Sequence, residues 1–256
     1  MRRTKWGRWP RRAAAALLIG LVILAGAWAY RRAPRPEPPA RLAALRGHTP
    51  PGMTLVPGGD CWLGTDDADA DEDVKPKRRV YVPSFYIDVH EVTNAEFHRF
   101  DPTHSFAPGL EALPVTNVTY DQAAAYARWV GKRLPTEAEW EKAARGTDGR
   151  RYPWGDRWDP NRVAKRAHRA QSSRASAAPL THRVCYIGPP RVQPVGSIPD
   201  GISPYGCYDM AGNAWEWVQG YYNGNPNQRI LRGGAVGYGE RACRTYIRAI
   251  EGSGDT

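Results

Sequence analysis

The sequence predicts an irregular α+β domain with short capped helices and small antiparallel sheets, preceded by one N-terminal transmembrane helix. The 256 residues include 26 glycines, 23 prolines and 10 tryptophans, and long periodic segments are scarce. Three short segments start with a threonine capping box, which indicates short helices. Arg79–Val89 alternates β-branched and aromatic residues, which predicts one or two strands.

The positive charge of the chain is concentrated at its N-terminus. The formal net charge is +10, and residues 1–46 alone hold 11 Lys or Arg against one acid, Glu37. The remaining residues hold 25 basic and 25 acidic side chains, so the folded part carries no excess charge. Nucleic-acid binding loses its main electrostatic support, and we expect no nucleic-acid partner.

The N-terminus has the pattern of a membrane-targeting segment. A basic segment, 1–12, precedes an uncharged run, 13–30, which as a helix would span about 27 Å of hydrocarbon. The basic end is expected to stay in the cytoplasm, so that the rest faces the periplasm from a single-pass anchor in the inner membrane. A cleaved signal peptide is the alternative, because Ala27-Trp-Ala29 is similar to a cleavage site. Arg31 and Arg32 favour the retained anchor.

Residues 31–51 are rich in proline, alanine and arginine, which predicts an extended spacer. The folded domain is expected to occupy residues 52–256, which is long enough for one sizeable core. The tail after Cys243 shows no obvious closing strand. Residues 162–191 are basic and aperiodic, which indicates a long surface loop.

The three capping boxes locate three helices. In each, a threonine hydroxyl and an acid or amide three residues later satisfy free N–H groups at the helix start. The helices and their capping pairs are 94–100 (Thr93 and Glu96), 120–130 (Thr119 and Gln122) and 137–145 (Thr136 and Glu139).

Two possible metal sites can be set aside. The acidic stretch Asp66–Asp73 begins like an EF-hand loop, but Glu72 and Arg78 stand where that loop needs glycine and glutamate, so we expect a solvated acidic loop. The four cysteines form no C-x-x-C pair and the histidines form no cluster, which argues against zinc. Disulfides are allowed in an exported domain, and the spacing favours none of the three full pairings.

The segment 206–219 combines oxygen ligands, two tryptophans and several glycines, which indicates an ordered, folded-back loop. A loop can bring together Asp209 and Glu216, which no regular face would do. With the main-chain carbonyls of Gly212 and Ala214 they would form the all-oxygen cage that calcium prefers. The alternative is a tryptophan-rich core turn whose acids lie on the surface, and the residues alone favour neither.

Several blocks follow one another along the chain: 85–97, 114–123, 131–141, 152–156, 206–219 and 229–234. Together and in this order they resemble the formylglycine-generating enzyme, or sulfatase-modifying factor, family. The resemblance runs from about Gly52 to Arg248 and implies one calcium-stabilised α+β domain related to C-type lectins. The family includes oxygen-dependent oxidases that convert a sulfatase cysteine to formylglycine, and periplasmic pyoverdine-maturation proteins.

The resemblance also assigns roles to single residues. It implies a calcium cage at Asp209, Gly212, Ala214 and Glu216, and Glu91 is a candidate for a further cation site. A second family calcium site looks lost, because 162–165 lacks its asparagine.

The family's oxidases need two thiolates five residues apart, which hold Cu(I). Here Tyr238 stands at the first position and Cys243 at the second, so we expect no copper. Cys243 is then a lone reactive thiol, a disulfide partner or a core residue, and the structural roles are favoured over catalysis. The family's closing Gly-Phe-Arg strand has no counterpart after Cys243.

Two functions follow as expectations. The first is a membrane-anchored binding or accessory module for an exported peptide or protein, with a shallow groove near Trp215, Trp217, Arg232 and Cys243. The alternative is a divergent oxidoreductase that modifies an exported protein or peptide through Cys243. A ligand-displaying domain of the variable-protein type is disfavoured, because the region after Arg232 is not rich in asparagine.

Overall fold

The structure is a computed structural model and describes residues 37–165 and 192–252. The predicted anchor at 13–30, most of the predicted loop at 162–191, and Cys185 lie outside these residues. Within the described ranges, no helix has the length and apolar character needed to cross a membrane.

Three small antiparallel sheets and several short helices make up the described part of the chain, which confirms the predicted α+β class. One sheet pairs β1 with β4, a second pairs β2 with β3, and the third has the order β5-β6-β7. The elements in chain order are α1 Pro39–Gly47, β1 Met53–Val56, β2 Gly59–Leu63, β3 Arg78–Val82, β4 Phe85–Asp88, α2 Asn94–Phe100, α3 Tyr120–Trp129, α4 Glu137–Arg145, β5 Glu216–Val218, β6 Gln228–Arg232, α5 Gly239–Ala242 and β7 Ala249–Gly252.

The three predicted helices are confirmed as α2, α3 and α4, and each has a complete capping box. The threonine hydroxyl accepts from the third helical N–H, and the Glu or Gln side chain accepts from the threonine N–H. The predicted strand segment is two strands, β3 and β4. Local sequence was sufficient here because the signals lie within a few residues of the elements that they define.

The expected extended spacer is wrong at its C-terminal half, where α1 forms. Pro39 occupies the first turn, where its missing N–H costs nothing, and alanine and leucine follow it. The Tyr86 hydroxyl donates to the Leu45 carbonyl at 2.7 Å, and the Glu37 carboxylate accepts from Ser84. The helix is therefore attached to β4 by polar contacts.

The expectation that no strand follows Cys243 is also wrong, because β7 closes the third sheet. Ile250 lies opposite Ile230, and Glu251 lies opposite Arg229. A four-residue strand without the family's pattern gave little signal in the sequence, and it is stabilised by pairing with β6 rather than by its own propensity.

The acidic loop is largely exposed, as expected, and arginines distant in sequence form ion pairs with several of its acids. Asp67 accepts from Arg151 at 2.9 Å and from the Tyr246 hydroxyl at 2.6 Å. Three further acids of this loop form ion pairs with the C-terminal segment: Asp69 with Arg244, Asp71 with Arg241 and Asp73 with Arg248. These contacts join the start of the domain to its end.

A buried ion network lies between α4 and the third sheet. Glu141 and Arg232 are each 1% exposed, and their side chains are 2.5 Å apart. Glu141 also accepts from Arg145 at 2.7 Å and from the Gly64 N–H at 2.8 Å. Arg232 donates to the carbonyls of Thr245 and Ile247.

Arg232 was expected in the groove, and this network corrects that expectation. Its side chain is 1% exposed and donates to Glu141 and to two carbonyl groups, so it offers no accessible face to a peptide. The apolar core packs beside it and includes Val56, Trp140, Ala143, Ala144, Cys207, Met210, Val218 and Ile230.

Breaking this network should destabilise the fold strongly. We expect Arg232→Met to lower the free energy of unfolding by about 3–5 kcal/mol, because Glu141 would keep its charge in a buried site with one partner removed. The full-length chain in a maltoside detergent, unfolded with urea, provides the measurement. The control is Arg79→Met, which removes an exposed pair with Asp60 and should cost at most about 1 kcal/mol. Equal losses in the two variants would contradict a structural role for Arg232.

Candidate functional site

The folded-back loop, residues 206–219, turns sharply and docks on the Arg-Gly-Gly turn that ends β6. Asp209 and Asn213 have φ angles of 58° and 65°, values that Asn and Asp tolerate better than most residues. The Gly212 N–H donates to the Gly233 carbonyl at 2.7 Å, and the Val236 N–H donates to the Asn213 carbonyl at 3.0 Å. Two main-chain hydrogen bonds therefore fix the predicted site, at Gly212 and Asn213, to the residues that follow β6.

Glu91 fixes the centre of this loop. Its carboxylate accepts from the Ala214 N–H at 2.9 Å and from the Asn213 side-chain amide at 2.5 Å. The Asn213 side-chain oxygen in turn accepts from the Gln193 N–H at 2.9 Å. Both Glu91 oxygens are thus occupied by the loop, which makes this residue a brace.

Three carboxylates lie close enough to influence one another. Burial raises the pKa of Glu91 well above its ordinary value, and the negative charges of Asp209 and Glu216 raise it further. Burial likewise raises the pKa of Glu216 to about 8 and the pKa of Asp209 above its ordinary range. The loop therefore concentrates acidic groups in a poorly hydrated place, an arrangement that a bound cation would stabilise.

Some loop oxygens fit the predicted calcium cage. Oε1 of Glu216 is buried and has no hydrogen-bond partner, while Oε2 accepts from the Trp140 indole N–H at 3.0 Å. A Cβ placed on Gly233 would lie 3.6 Å from Glu216 Oε1 and 3.8 Å from the Ala214 carbonyl oxygen. These two predicted ligand atoms therefore border the same small space, and both are the hard oxygens that calcium prefers.

The structure also limits what the cage can be. Among the described residues, no three His, Cys, Asp or Glu side chains are grouped as metal ligands. The predicted site therefore depends on main-chain oxygens, those of Gly212 and Ala214, in addition to the side chains of Asp209 and Glu216. Glu91 holds the loop in place through its hydrogen bonds to Asn213 and Ala214. Calcium at these residues stays a prediction.

Cys243 is enclosed behind the loop. It is 3% exposed, and burial raises the pKa of its thiol to about 12. Its sulfur lies 3.8 Å from where a Cβ on Gly212 would be, so it contacts the back of the loop. Cys243 is therefore enclosed and does not line a groove, contrary to the expectation. Its structural role stays a prediction. Cys61, Cys207 and Cys243 are all free and buried.

The predicted groove tryptophans lie between two cavities. A cavity of about 200 Å³ and another of about 680 Å³ share Trp215 and Trp217 as walls. The Trp217 indole N–H donates to the Val118 carbonyl at 3.0 Å, which fixes the orientation of its ring. Both tryptophans are partly exposed, so they keep their predicted place at an accessible surface.

Sequence reasoning missed two parts of these walls. The loop 115–119, which precedes α3, lines the smaller cavity, and Asn117 within it has a φ angle of 59°. Tyr238 also lines that cavity, and its ring meets the Trp215 ring edge-on at 5.8 Å. The capping box at Thr119 located the start of the helix, but no local pattern could show which loop packs beside the tryptophans.

Comparisons with known proteins agree with this architecture. Residues 39–255 match the family model described as "Sulfatase-modifying factor enzyme 1-like domain". The mouse (Mus musculus) protein named "Inactive C-alpha-formylglycine-generating enzyme 2" is 30% identical, with 72% of this chain and 73% of the relative covered. A cattle (Bos taurus) protein named "Formylglycine-generating enzyme" is 29% identical, with 76% and 64% covered.

Solved structures share the fold at lower identity. PvdO from Pseudomonas aeruginosa has a TM-score of 0.59 and 24% identity, with 79% of this chain and 89% of that chain covered. CarF has a TM-score of 0.55 and 19% identity, with 80% and 94% covered. These likenesses show the fold alone. Because the family model spans nearly all of the described residues, the chain belongs to the sulfatase-modifying factor family, the family of formylglycine-generating enzymes.

Proposed function

We propose that this protein is a membrane-anchored, exported member of its family that binds a peptide or protein and lacks the two-cysteine copper oxidase centre. One observation carries the proposal: Tyr238 and Cys243, at the positions of the two thiolates, are a cavity-lining aromatic ring and a buried thiol. Tight Cu(I) binding needs two soft sulfur ligands, and a phenol is a poor substitute.

The other described cysteines do not supply the missing sulfur. Cys207 is 0% exposed and packs in the apolar core with Trp140 and Met210. Burial raises the pKa of Cys61 to about 11, and Cys61 lies on β2, in the sheet formed with β3. The oxidase chemistry is therefore disfavoured, although relatives named as formylglycine-generating enzymes motivate it.

A divergent oxidoreductase acting through Cys243 is the alternative function. A thiol whose pKa is about 12 is almost entirely protonated at neutral pH, and the thiolate is the reactive form. Its enclosure behind Gly212 also keeps a substrate away. Both facts favour binding over chemistry.

The binding surface of the proposal is formed by the two tryptophans and the cavities on either side. Partly buried tryptophans that line apolar pockets dominate the affinity for a partner at many interfaces. Membrane attachment and export rest on the basic segment 1–12 and the apolar run 13–30, which would place this surface on the periplasmic side of the inner membrane.

We propose calcium as the cofactor of this protein. Asp209, Glu216 and the carbonyls of Gly212 and Ala214 would hold the ion, which would neutralise the crowded carboxylates and fix the loop that carries both tryptophans. The support is the unpartnered Glu216 oxygen and the adjoining Ala214 carbonyl. A copper ion has no such support.

Peptide binding should depend on Trp217. We expect peptides selected from a displayed library against the full-length chain, in a maltoside detergent, to lose about tenfold or more in affinity with Trp217→Ala, because a central aromatic anchor is removed. Trp129→Ala is the control, since Trp129 is 55% exposed on α3 and lines neither cavity. Equal affinity of Trp217→Ala and wild type, in variants with equal melting temperatures, would place the binding surface elsewhere.

Calcium should stabilise the fold in a pH-dependent manner. Without calcium, the raised pKa of Glu216, about 8, means that the folded state keeps a proton that the unfolded chain has released. The free energy of unfolding should then fall as the pH rises from about 5 to about 8. Calcium at a hundredfold excess over its dissociation constant should restore about 2.7 kcal/mol at the upper end.

Thermal melting with and without a chelator, at pH 5 and pH 8, measures this effect. Glu216→Gln should lose the calcium response, whereas Glu72→Gln, at an exposed acid of the acidic loop, should keep it. A wild-type protein whose melting temperature is the same with chelator and with calcium at pH 8 would refute the cage.

A further inference from the structure

The smaller cavity has the walls of an aromatic cage. The rings of Trp215 and Tyr238 meet at 78° with their centres 5.8 Å apart, so they form two walls of a corner. Trp217 is a further wall, held by its hydrogen bond to Val118 and by an edge-on contact with Tyr120 at 5.8 Å and 89°. Aromatic faces arranged around a common space attract cations through their negative π-clouds.

The charges around this cavity also favour a cation. Among the described residues that line it, Glu251 is charged and none is Lys, Arg or His. Arg229, opposite Glu251 on β6, is held between two rings, 3.8 Å from the Tyr120 centre and 4.1 Å from the Tyr221 centre. This guanidinium does not line the cavity.

The size of the cavity restricts its occupant. Its volume of about 200 Å³ is below the roughly 300–1,000 Å³ of sites for drug-sized molecules, so it suits a single functional group. Three aromatic residues and one carboxylate around a space of this size match a compact alkylammonium head, and apolar neighbours such as Val236 and Leu231 match its methyl or methylene groups.

We propose that this cavity binds an alkylammonium group, and that the group is a lysine-type side chain of the exported peptide. The inference deepens the proposed function and rests on it for the identity of the carrier. Tyr238, which removes the first sulfur of the family's copper pair, here provides a wall of the cage. The residue that ends the oxidase chemistry thus creates the specificity of the site.

Choline and its uncharged counterpart, 3,3-dimethyl-1-butanol, are the probes that isolate the charge. Both present the same branched head, so a cage for cations should bind choline about tenfold more tightly, a ratio within the range of cation–π attraction. Tryptophan fluorescence of the full-length chain in a maltoside detergent reports binding. Equal affinity for the two probes would show a merely apolar pocket and overturn the inference.

Variants connect the binding to the named walls. Tyr238→Phe keeps the ring and should keep choline affinity within about twofold, whereas Tyr238→Leu should lower it about three- to thirtyfold. Glu251→Gln should also lower the affinity for choline but not the affinity for the neutral probe. Trp129→Leu is the matched control and should change the affinity for neither probe. If Tyr238→Leu lowers the melting temperature, the inference is judged on the choline affinity of Glu251→Gln instead. Unchanged choline affinity in both cage variants would overturn the inference.

Binding of peptides tests whether the alkylammonium group belongs to a peptide side chain or to a free amine. A library-selected peptide carrying lysine or trimethyllysine should compete with choline, and its norleucine version should bind at least about tenfold more weakly. If selected peptides bind through Trp217 but ignore choline and lysine, the proposed function stands and the cage is refuted. If choline binds but no peptide does, the cavity is a site for a free quaternary amine, and the proposed peptide-binding function is wrong. A strict preference for arginine over lysine would contradict the alkylammonium assignment.

Discussion

The arrangement of the domain depends on the hydrogen bonds and ion pairs of the buried Glu141 carboxylate. It binds Arg145 within its own helix, Arg232 at the end of β6 and the Gly64 N–H beyond β2. Because two buried arginines meet one fully buried acid, the segments that carry them cannot separate without leaving charges unpaired in a poor dielectric. Arg232 then extends the connection to the carbonyls of Thr245 and Ile247. One side chain therefore fixes the helix, two sheets and the C-terminal segment together.

This constraint explains why the folded-back loop can have an unusual geometry. Its glycines and left-handed residues are costly by themselves, but the loop lies between two fixed elements, the Arg-Gly-Gly turn after β6 and the Glu91 brace after β4. The scaffold thereby offsets the local strain and the crowding of Glu91, Asp209 and Glu216. The same framework places Trp215 and Trp217 at the boundary of two cavities, where a rigid loop presents them.

The parts of the fold that the sequence could predict are those set by local chemistry. The capping boxes defined α2, α3 and α4, and the alternating stretch defined β3 and β4, because each signal acts within a few residues. The composition of the loop 206–219 was sufficient to identify the folded-back segment. In contrast, β7 and the ion pairs of the acidic loop depend on residues far apart in the chain.

The candidate site divides in the same way. The sequence identified Trp215, Trp217 and the carboxylates of the loop, but it placed Arg232 and Cys243 in the groove, where the structure shows them buried. Arginine and cysteine both occur at surfaces and, when satisfied, in interiors, and only the three-dimensional partners decide which. Tyr238 was interpreted as a lost copper ligand, and in the structure its ring packs against Trp215 and lines the smaller cavity.

We propose that this protein keeps the scaffold of its family and lacks the copper chemistry of the oxidases. The most direct test incubates the purified full-length chain with copper, oxygen, a thiol reductant and a Cys-x-Pro-x-Arg peptide, and weighs the peptide by mass spectrometry. We expect an unchanged peptide mass and no tight Cu(I) binding, since Cys243 is a buried thiol without a sulfur partner at position 238. Copper-dependent conversion of the peptide cysteine to formylglycine would contradict it.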